Sequence, residues 1–145
     1  AQDMYDAVTE EAKNSDIIIK AAAVADYTPL NVSDNKIKKK DGDMSIALKR
    51  TKDIIGTLGE HKKEGQFICG FSMETENVIA NSKDKLIKKN MDMIVANNVK
   101  VAGAGFGTDT NVVTIITGED NIELPMMSKE DVASKILDFI MAKRR

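Results

Sequence analysis

Asp16-Ile17-Ile18-Ile19-Lys20 runs directly into Ala21-Ala22-Ala23-Val24-Ala25-Asp26. A β-branched apolar run this short is the pattern of a buried parallel strand. The small residues after it have no helical or strand period and end in a carboxylate, as in a loop at a strand's carboxyl end. Upstream, Met4, Ala7, Val8 and Ala12 recur at helical spacing, predicting an amphipathic helix that ends near Asn14. Downstream the alternation repeats. A two-turn helix starts near Asp53, and a strand runs from Gln66 to Phe71. A second amphipathic helix covers Glu76 to Asn90, capped by Thr75, with Ile79, Ala80, Leu86 and Ile87 as its apolar stripe. Met91 to Ala96 is a third buried strand.

Two hairpins are expected. Lys36 to Leu48 reads as extended arms around Asp41-Gly42, and Val112–Thr117 with Asn121–Leu124 flank the turn Gly118-Glu119-Asp120. Ser128 caps a last helix through Met141, with Glu130 or Asp131 in its first turn, and Lys143-Arg144-Arg145 reads as a solvated tail. Alternating strands and helices predict an α/β fold with a mostly parallel central sheet and an antiparallel edge hairpin. Ligands of such sheets bind beyond the carboxyl ends of the strands, where Ala21–Asp26, Phe71–Thr75 and the residues from Asn97 onward would meet.

Composition bounds the partners. The chain has 145 residues, is 42% hydrophobic and carries a net charge of −2, enough for one core and not basic enough for a nonspecific nucleic-acid binder. Its lysines cluster, and a nucleotide triphosphate needs only a few local cations. The single cysteine, Cys69, excludes an internal disulfide and lies in an apolar run as a buried strand residue. No run approaches the ~18 apolar residues of a membrane span, and no signal-peptide pattern opens the chain. These readings lead to an expectation of a cytoplasmic protein with no membrane partner. A start at Ala1 inside a helical pattern leads to an expectation of one truncated domain from a longer polypeptide.

Each cluster has two readings. Asp26 could hold a ribose hydroxyl, a base amino group or a magnesium ion, or could be a turn residue. The long connection bearing Lys36, Lys38, Lys39 and Lys40 is either a lid that closes on phosphates or a solvated face. Lys85 and Lys89 form an i,i+4 like-charge pair with no acid at helical spacing, a repulsion that an anionic ligand or water would relieve. Gly103-Ala104-Gly105-Phe106-Gly107 precedes a strand rather than a helix, so it fails as a dinucleotide fingerprint. His61 stands alone.

Ala21-Ala22-Ala23-Val24-Ala25-Asp26-Tyr27, followed ten residues after the aspartate by Lys36-Ile37-Lys38-Lys39, closely resembles the bacterial phosphopantothenate–cysteine ligases. The resemblance continues through Asp53-Ile54-Ile55, Gly70-Phe71, Glu74-Thr75, Lys85, Lys89, Asn90-Met91-Asp92, Val95-Ala96-Asn97, and Phe106 with Asp109 and Asn111. It covers essentially the whole chain in order. It implies a Rossmann-like three-layer fold, with an amino-terminal portion of the family unmatched here.

It also implies roles. Lys20, Ala21, Ala22 and Asp26 would contact CTP, and Lys36, on a flap, would reach its phosphates as the catalytic lysine. Lys52, Asp53, Ile54, Ile55 and Phe71 would form the nucleotide pocket, with Thr51-Lys52-Asp53 where the family often shows Asn-Pro-Asp. Lys85 and Lys89 would meet the triphosphate, although a simple strand-crest picture puts that end of the helix towards the opposite edge of the sheet. The implied reaction joins 4′-phosphopantothenate to L-cysteine through an acyl-cytidylate, with CTP and Mg2+, in coenzyme A synthesis. FMN would belong only to a fused decarboxylase, and the assembly would be a homodimer or higher. A non-catalytic nucleotide-binding or oligomerisation module is the alternative.

Overall fold

A computed structural model describes residues 1–39, 41–73, 77–98, 101 and 107–144. The elements are α1 (Gln2–Glu11), a 3-10 turn (Ala12–Asn14), β1 (Ile17–Lys20), β2 (Tyr27–Pro29) and β3 (Leu48–Arg50). They continue as α2 (Ile54–Glu60), β4 (Phe67–Met73), α3 (Val78–Lys88), β5 (Met93–Asn97), β6 (Thr110–Ile116), β7 (Asn121–Ser128) and α4 (Lys129–Lys143). Five strands form one sheet in the order β1-β4-β5-β6-β7. β1, β4 and β5 pair in parallel, whereas β6 and β7 add antiparallel at one side, joined by the expected turn at Gly118–Asp120.

Alternation along the central strands divides the core. Phe67, Cys69, Met93, Val95, Val113 and Ile115 face α4, which buries Val132, Ile136 and Ile140 against them. Ile68 and Ile94 face the other way, onto Ile54 and Leu58 of α2 and Leu86 of α3, with Tyr5 and Val8 of α1 packed alongside. Helices on both faces make the three-layer Rossmann-like arrangement. Each fully buried aliphatic side chain contributes about 1.5–3 kcal/mol, so the two faces rather than helix propensity hold the fold. Cys69 is buried as expected, and burial, with the nearby Asp92 charge, pushes its thiol up to about 12.

The structure corrects several expectations. β1 is an edge strand and only half-buried, with Ile19 39% exposed, because among the described residues it has a strand neighbour on one side only. Among the described residues, Lys36 to Leu48 forms no paired arms around Asp41-Gly42. The antiparallel ribbon forms farther out, with Tyr27 opposite Arg50 and Pro29 opposite Leu48. On α3 the buried residues are Ser82 and Leu86, whereas Ile79 and Ile87 are exposed. Its inner face lies over Ser72 of β4, and the Ser72 and Ser82 hydroxyls meet at 3.2 Å. Close approach at that spot suits small residues better than isoleucines. Lys143 is no free tail residue: it pairs with Glu119 and Asp120, tying α4 to the β6–β7 turn. Ser128 caps α4 through the Asp131 N–H, as expected. Lys40, the Thr75 cap, Glu74, Glu76, Arg145 and the loop residues Gly103 to Phe106 lie outside the described residues.

Candidate functional site

At the carboxyl ends of β1 and β4, a cleft of about 320 Å³ is lined by Lys20, Asp26, Asp53, Phe71, Lys85 and Lys89, with Ile55 and Gly70 in its apolar wall. Its charged groups come from four separate segments of the chain. Lys20 ends β1 and Asp26 ends the loop after it. Asp53 caps α2, accepting the Gly56 N–H at 3.1 Å, because an aspartate before a helix satisfies one of its unpaired first-turn donors. Lys85 and Lys89 come from the last turns of α3.

Close packing sets where α3 ends. Gly59 of α2 lies so near the Lys89 carbonyl that an added Cβ would sit 1.8 Å from its oxygen. Asn90, in the left-handed region at φ 48°, donates its Nδ2 to the Gly59 carbonyl at 2.9 Å. The last turn of α3 is thereby pressed against α2, and Lys89 Nζ reaches Asp53 Oδ2 at 2.8 Å. An acid from another helix therefore serves Lys89, and no acid at helical spacing is required. Gly70 makes room in the same wall, since a Cβ there would meet Met91 Sδ at 2.8 Å.

Electrostatics follow from this geometry. Burial would raise the Asp53 carboxyl, but the Lys89 hydrogen bond, the Gly56 N–H and the charges of Lys89 and Lys20 outweigh it, holding it below the usual range. Burial lowers Lys20, with the like charge of Lys89 adding and Asp53 and Asp26 opposing. Three lysines against two aspartates, flanked by the Phe71 ring and Ile55, suit an anion attached to a flat apolar group.

The loop after β1 is held at both ends. Lys20 Nζ donates to the Ala22 carbonyl at 3.1 Å. Thr51 donates its hydroxyl to the Ala25 carbonyl at 2.7 Å and its N–H to the Asp26 carbonyl at 2.9 Å. Ala21 and Ala22 are exposed on this loop.

Other expected site residues fall elsewhere. Lys52 points to α1, its Nζ 4.5 Å from the Tyr5 ring centroid. Ile54 is in the core. Lys36 is exposed on the connection between β2 and β3 and does not line the cleft. Lys85 and Lys89 share the cleft with Lys20 and Asp26, contrary to the simple strand-crest picture. Ser72 and Ile94 line it without having been singled out; a serine inside an apolar strand was the available signal for the first. A larger cavity of about 450 Å³ between α1 and α2 is walled by Tyr5, Leu58, His61 and Gln66, whose amide is already spent on the Ala12 and Ser15 carbonyls.

Among the described residues no group of three or more side chains is arranged to hold a metal. Magnesium accompanying a nucleotide needs only one or two carboxylates plus phosphate oxygens, and Asp26 and Asp53 are the two on the cleft wall. Among the described residues no helix is long and apolar enough to cross a membrane.

The DNA/pantothenate metabolism flavoprotein C-terminal domain family matches residues 1–143. The chain belongs to that family. It is 53% identical over 143 residues to the coenzyme A biosynthesis bifunctional protein CoaBC of Bacillus subtilis, covering 98% of this chain and 35% of that protein. It is 46% identical over 142 residues to a cysteine/cysteine sulfinic acid decarboxylase of an unknown prokaryotic organism, covering 97% of this chain and 40% of that one. The domain thus spans between a third and two-fifths of these relatives' length.

A solved C-terminal domain of a CoaBC protein superposes with a TM-score of 0.79 at 44% identity, over 99% of this chain and 64% of that one. A Cab2 variant in complex with phosphopantothenate-cysteine matches with a TM-score of 0.63 at 20% identity, over 86% and 42%, which shows a shared fold.

Proposed function

We propose that this chain forms the CTP-handling part of a phosphopantothenate–cysteine ligase of coenzyme A synthesis. The observation that carries the reading is the cleft itself: lysines from β1 and α3 converge with Asp26 and Asp53 beside Phe71, in a family whose members include bifunctional coenzyme A biosynthesis proteins.

In the proposed reaction the 4′-phosphopantothenate carboxylate attacks the α-phosphorus of CTP. The bond to pyrophosphate breaks and an acyl-cytidylate forms. The amine of L-cysteine then attacks the acyl carbon, CMP leaves, and the amide remains. An anion must approach an anion in the first step, so the barrier is electrostatic. Lys20, Lys85 and Lys89 would neutralise the triphosphate and the charge gathering on pyrophosphate. Phe71 and Ile55 would pack on the nucleoside, and the backbone of Ala21 and Ala22 would read its polar edges. Lys36 would join from the connection between β2 and β3, closing over the phosphates and excluding water.

Asp26 and Asp53 would hold a magnesium ion bound with the triphosphate, which supplies further charge neutralisation. FMN would belong to a fused decarboxylase part, and the enzyme would act as a cytoplasmic homodimer.

The test is pyrophosphate release and phosphopantothenoylcysteine formation from CTP, magnesium, 4′-phosphopantothenate and cysteine, by this chain and by its longer natural parent. Product formation by the parent that falls when Lys20 or Lys89 is replaced supports the reading. Nucleotide binding with no pyrophosphate release from either would favour a non-catalytic nucleotide-binding module.

A further inference from the structure

The parallel strands make the floor of the cleft. Lys20 pairs with Gly70 and Gly70 with Ile94, and Ser72 lies two residues beyond Gly70 on the same face of β4. Above this floor, the Ser82 hydroxyl of α3 meets the Ser72 hydroxyl at 3.2 Å. Ser82 is fully buried, whereas Ser72, 9% exposed, lines the cleft. Either oxygen can accept, so burial decides which one donates. Among the described residues the Ser72 hydroxyl is the one hydrogen-bond partner of Ser82. If Ser72 donated, the Ser82 proton would stay in the core with no acceptor, at a cost of about 1–3 kcal/mol. Ser82 therefore donates to Ser72 Oγ. The Ser72 proton is turned out of the pair, towards the cleft, and a hydroxyl that already accepts a hydrogen bond is a stronger donor.

We propose that Ser72 is a further ligand-binding residue, its hydroxyl donating to a phosphate oxygen of the nucleotide triphosphate. Ser82 is the positioning residue that sets the direction of that proton. The inference rests on the reading of the cleft as a triphosphate site and adds to it a neutral contact. Lys85 and Lys89 follow Ser82 along one face of α3, at i+3 and i+7, and both line the cleft. With Lys20 entering from β1, they gather anionic oxygens above Gly70, beside Ser72. Phosphate oxygens accept and do not donate, so they match a hydroxyl whose proton points outward. The serine meets one without adding a further positive charge to lysines that already repel one another.

The experiment titrates CTP and inorganic triphosphate, each with magnesium, into the longer natural parent by calorimetry. Wild type is compared with Ser72→Ala, Ser72→Cys, Ser82→Ala and Lys89→Gln, each checked for a folded melting transition. Ser72→Ala is expected to weaken both ligands about tenfold, the loss of one hydrogen bond to a charged group. Ser72→Cys keeps nearly the same shape but holds only a weak donor, so it is expected to lose as much. Ser82→Ala is expected to weaken both about threefold and to add nothing in the Ser72→Ala background, the mark of a residue that acts through Ser72. Lys89→Gln separates the two levels of the argument. Wild type that binds no CTP, or binding indifferent to Lys89→Gln, would remove the triphosphate reading and this proposal with it. Binding that falls with Lys89→Gln but is unchanged in Ser72→Ala or Ser72→Cys would overturn the Ser72 assignment alone. So would a loss confined to CTP, which would put the hydroxyl on the nucleoside, or additive effects of the two serine changes.

Discussion

Lys89 Nζ lies 2.8 Å from Asp53 Oδ2, joining the end of α3 to the start of α2 across the wall of the cleft. The same carboxylate caps α2, so one side chain serves both the helix start and the lysine. The two roles separate by substitution. Asp53→Ala, which loses the cap and the half-exposed pair, should cost about 1–2 kcal/mol. Asp53→Asn, which still caps, should cost less than about 1 kcal/mol. Urea midpoints at pH 7 check the order, and equal losses would remove the cap from the account.

The sign of the pH dependence follows from the depressed Asp53 carboxyl. Its contribution is complete above the unfolded carboxyl value of about 4 and is lost as pH falls through the lower folded value. Wild type should therefore lose more stability than Asp53→Asn on the acid side, and the difference should be flat from pH 5 to 8. A difference that grows above pH 5 would contradict the assignment.

Gly59→Ala should destabilise by about 1–3 kcal/mol, because the new methyl collides with the Lys89 carbonyl and α2 must move off α3. Moving that turn carries Lys89 with it, so nucleotide triphosphate affinity should fall together with the melting temperature. Gly118→Ala, where an added Cβ meets nothing within 4 Å, serves as the control. Unchanged affinity in a folded Gly59→Ala protein would show that the packing does not position Lys89 for the ligand.

Ser82→Ala should cost about 1–2 kcal/mol by leaving the Ser72 hydroxyl without its buried partner. The Ser72→Ala, Ser82→Ala double variant should cost less than the sum of the single changes, since both polar groups are then gone. Strict additivity in denaturant titrations would mean that the hydroxyls do not interact.

Lys20→Gln should weaken nucleotide triphosphate binding about tenfold, roughly 1.4 kcal/mol, with little loss of stability. Because burial lowers Lys20, wild-type affinity should decline with rising pH before an ordinary lysine would titrate, and the variant should lack that decline. Lys36→Gln in the longer parent should slow turnover while leaving the melting temperature unchanged, an exposed lysine contributing little to folding. Turnover equal to wild type would take Lys36 out of the site.

Patterns that depend on neighbours along the chain were legible in the sequence. The β-branched run at Ile17, the strand through Cys69, the turn at Gly118–Asp120 and the Ser128 cap each follow from local preference, and all are present. Together they determined the α/β class and placed Lys20 and Asp26 at a strand's carboxyl end. Tertiary structure decided what local pattern cannot contain. Which face α3 buries depends on the small residues opposite it, so Ser82 is inside and Ile87 outside. Which strand is the edge depends on sheet order, so Ile19 is half-open. The company of Lys89 depends on how closely Gly59 lets α2 approach, and it is an aspartate 36 positions away in sequence (89 − 53) that answers its charge. Periodicity reports that a residue has an apolar or a polar side, but only packing between distant segments determines what that side meets.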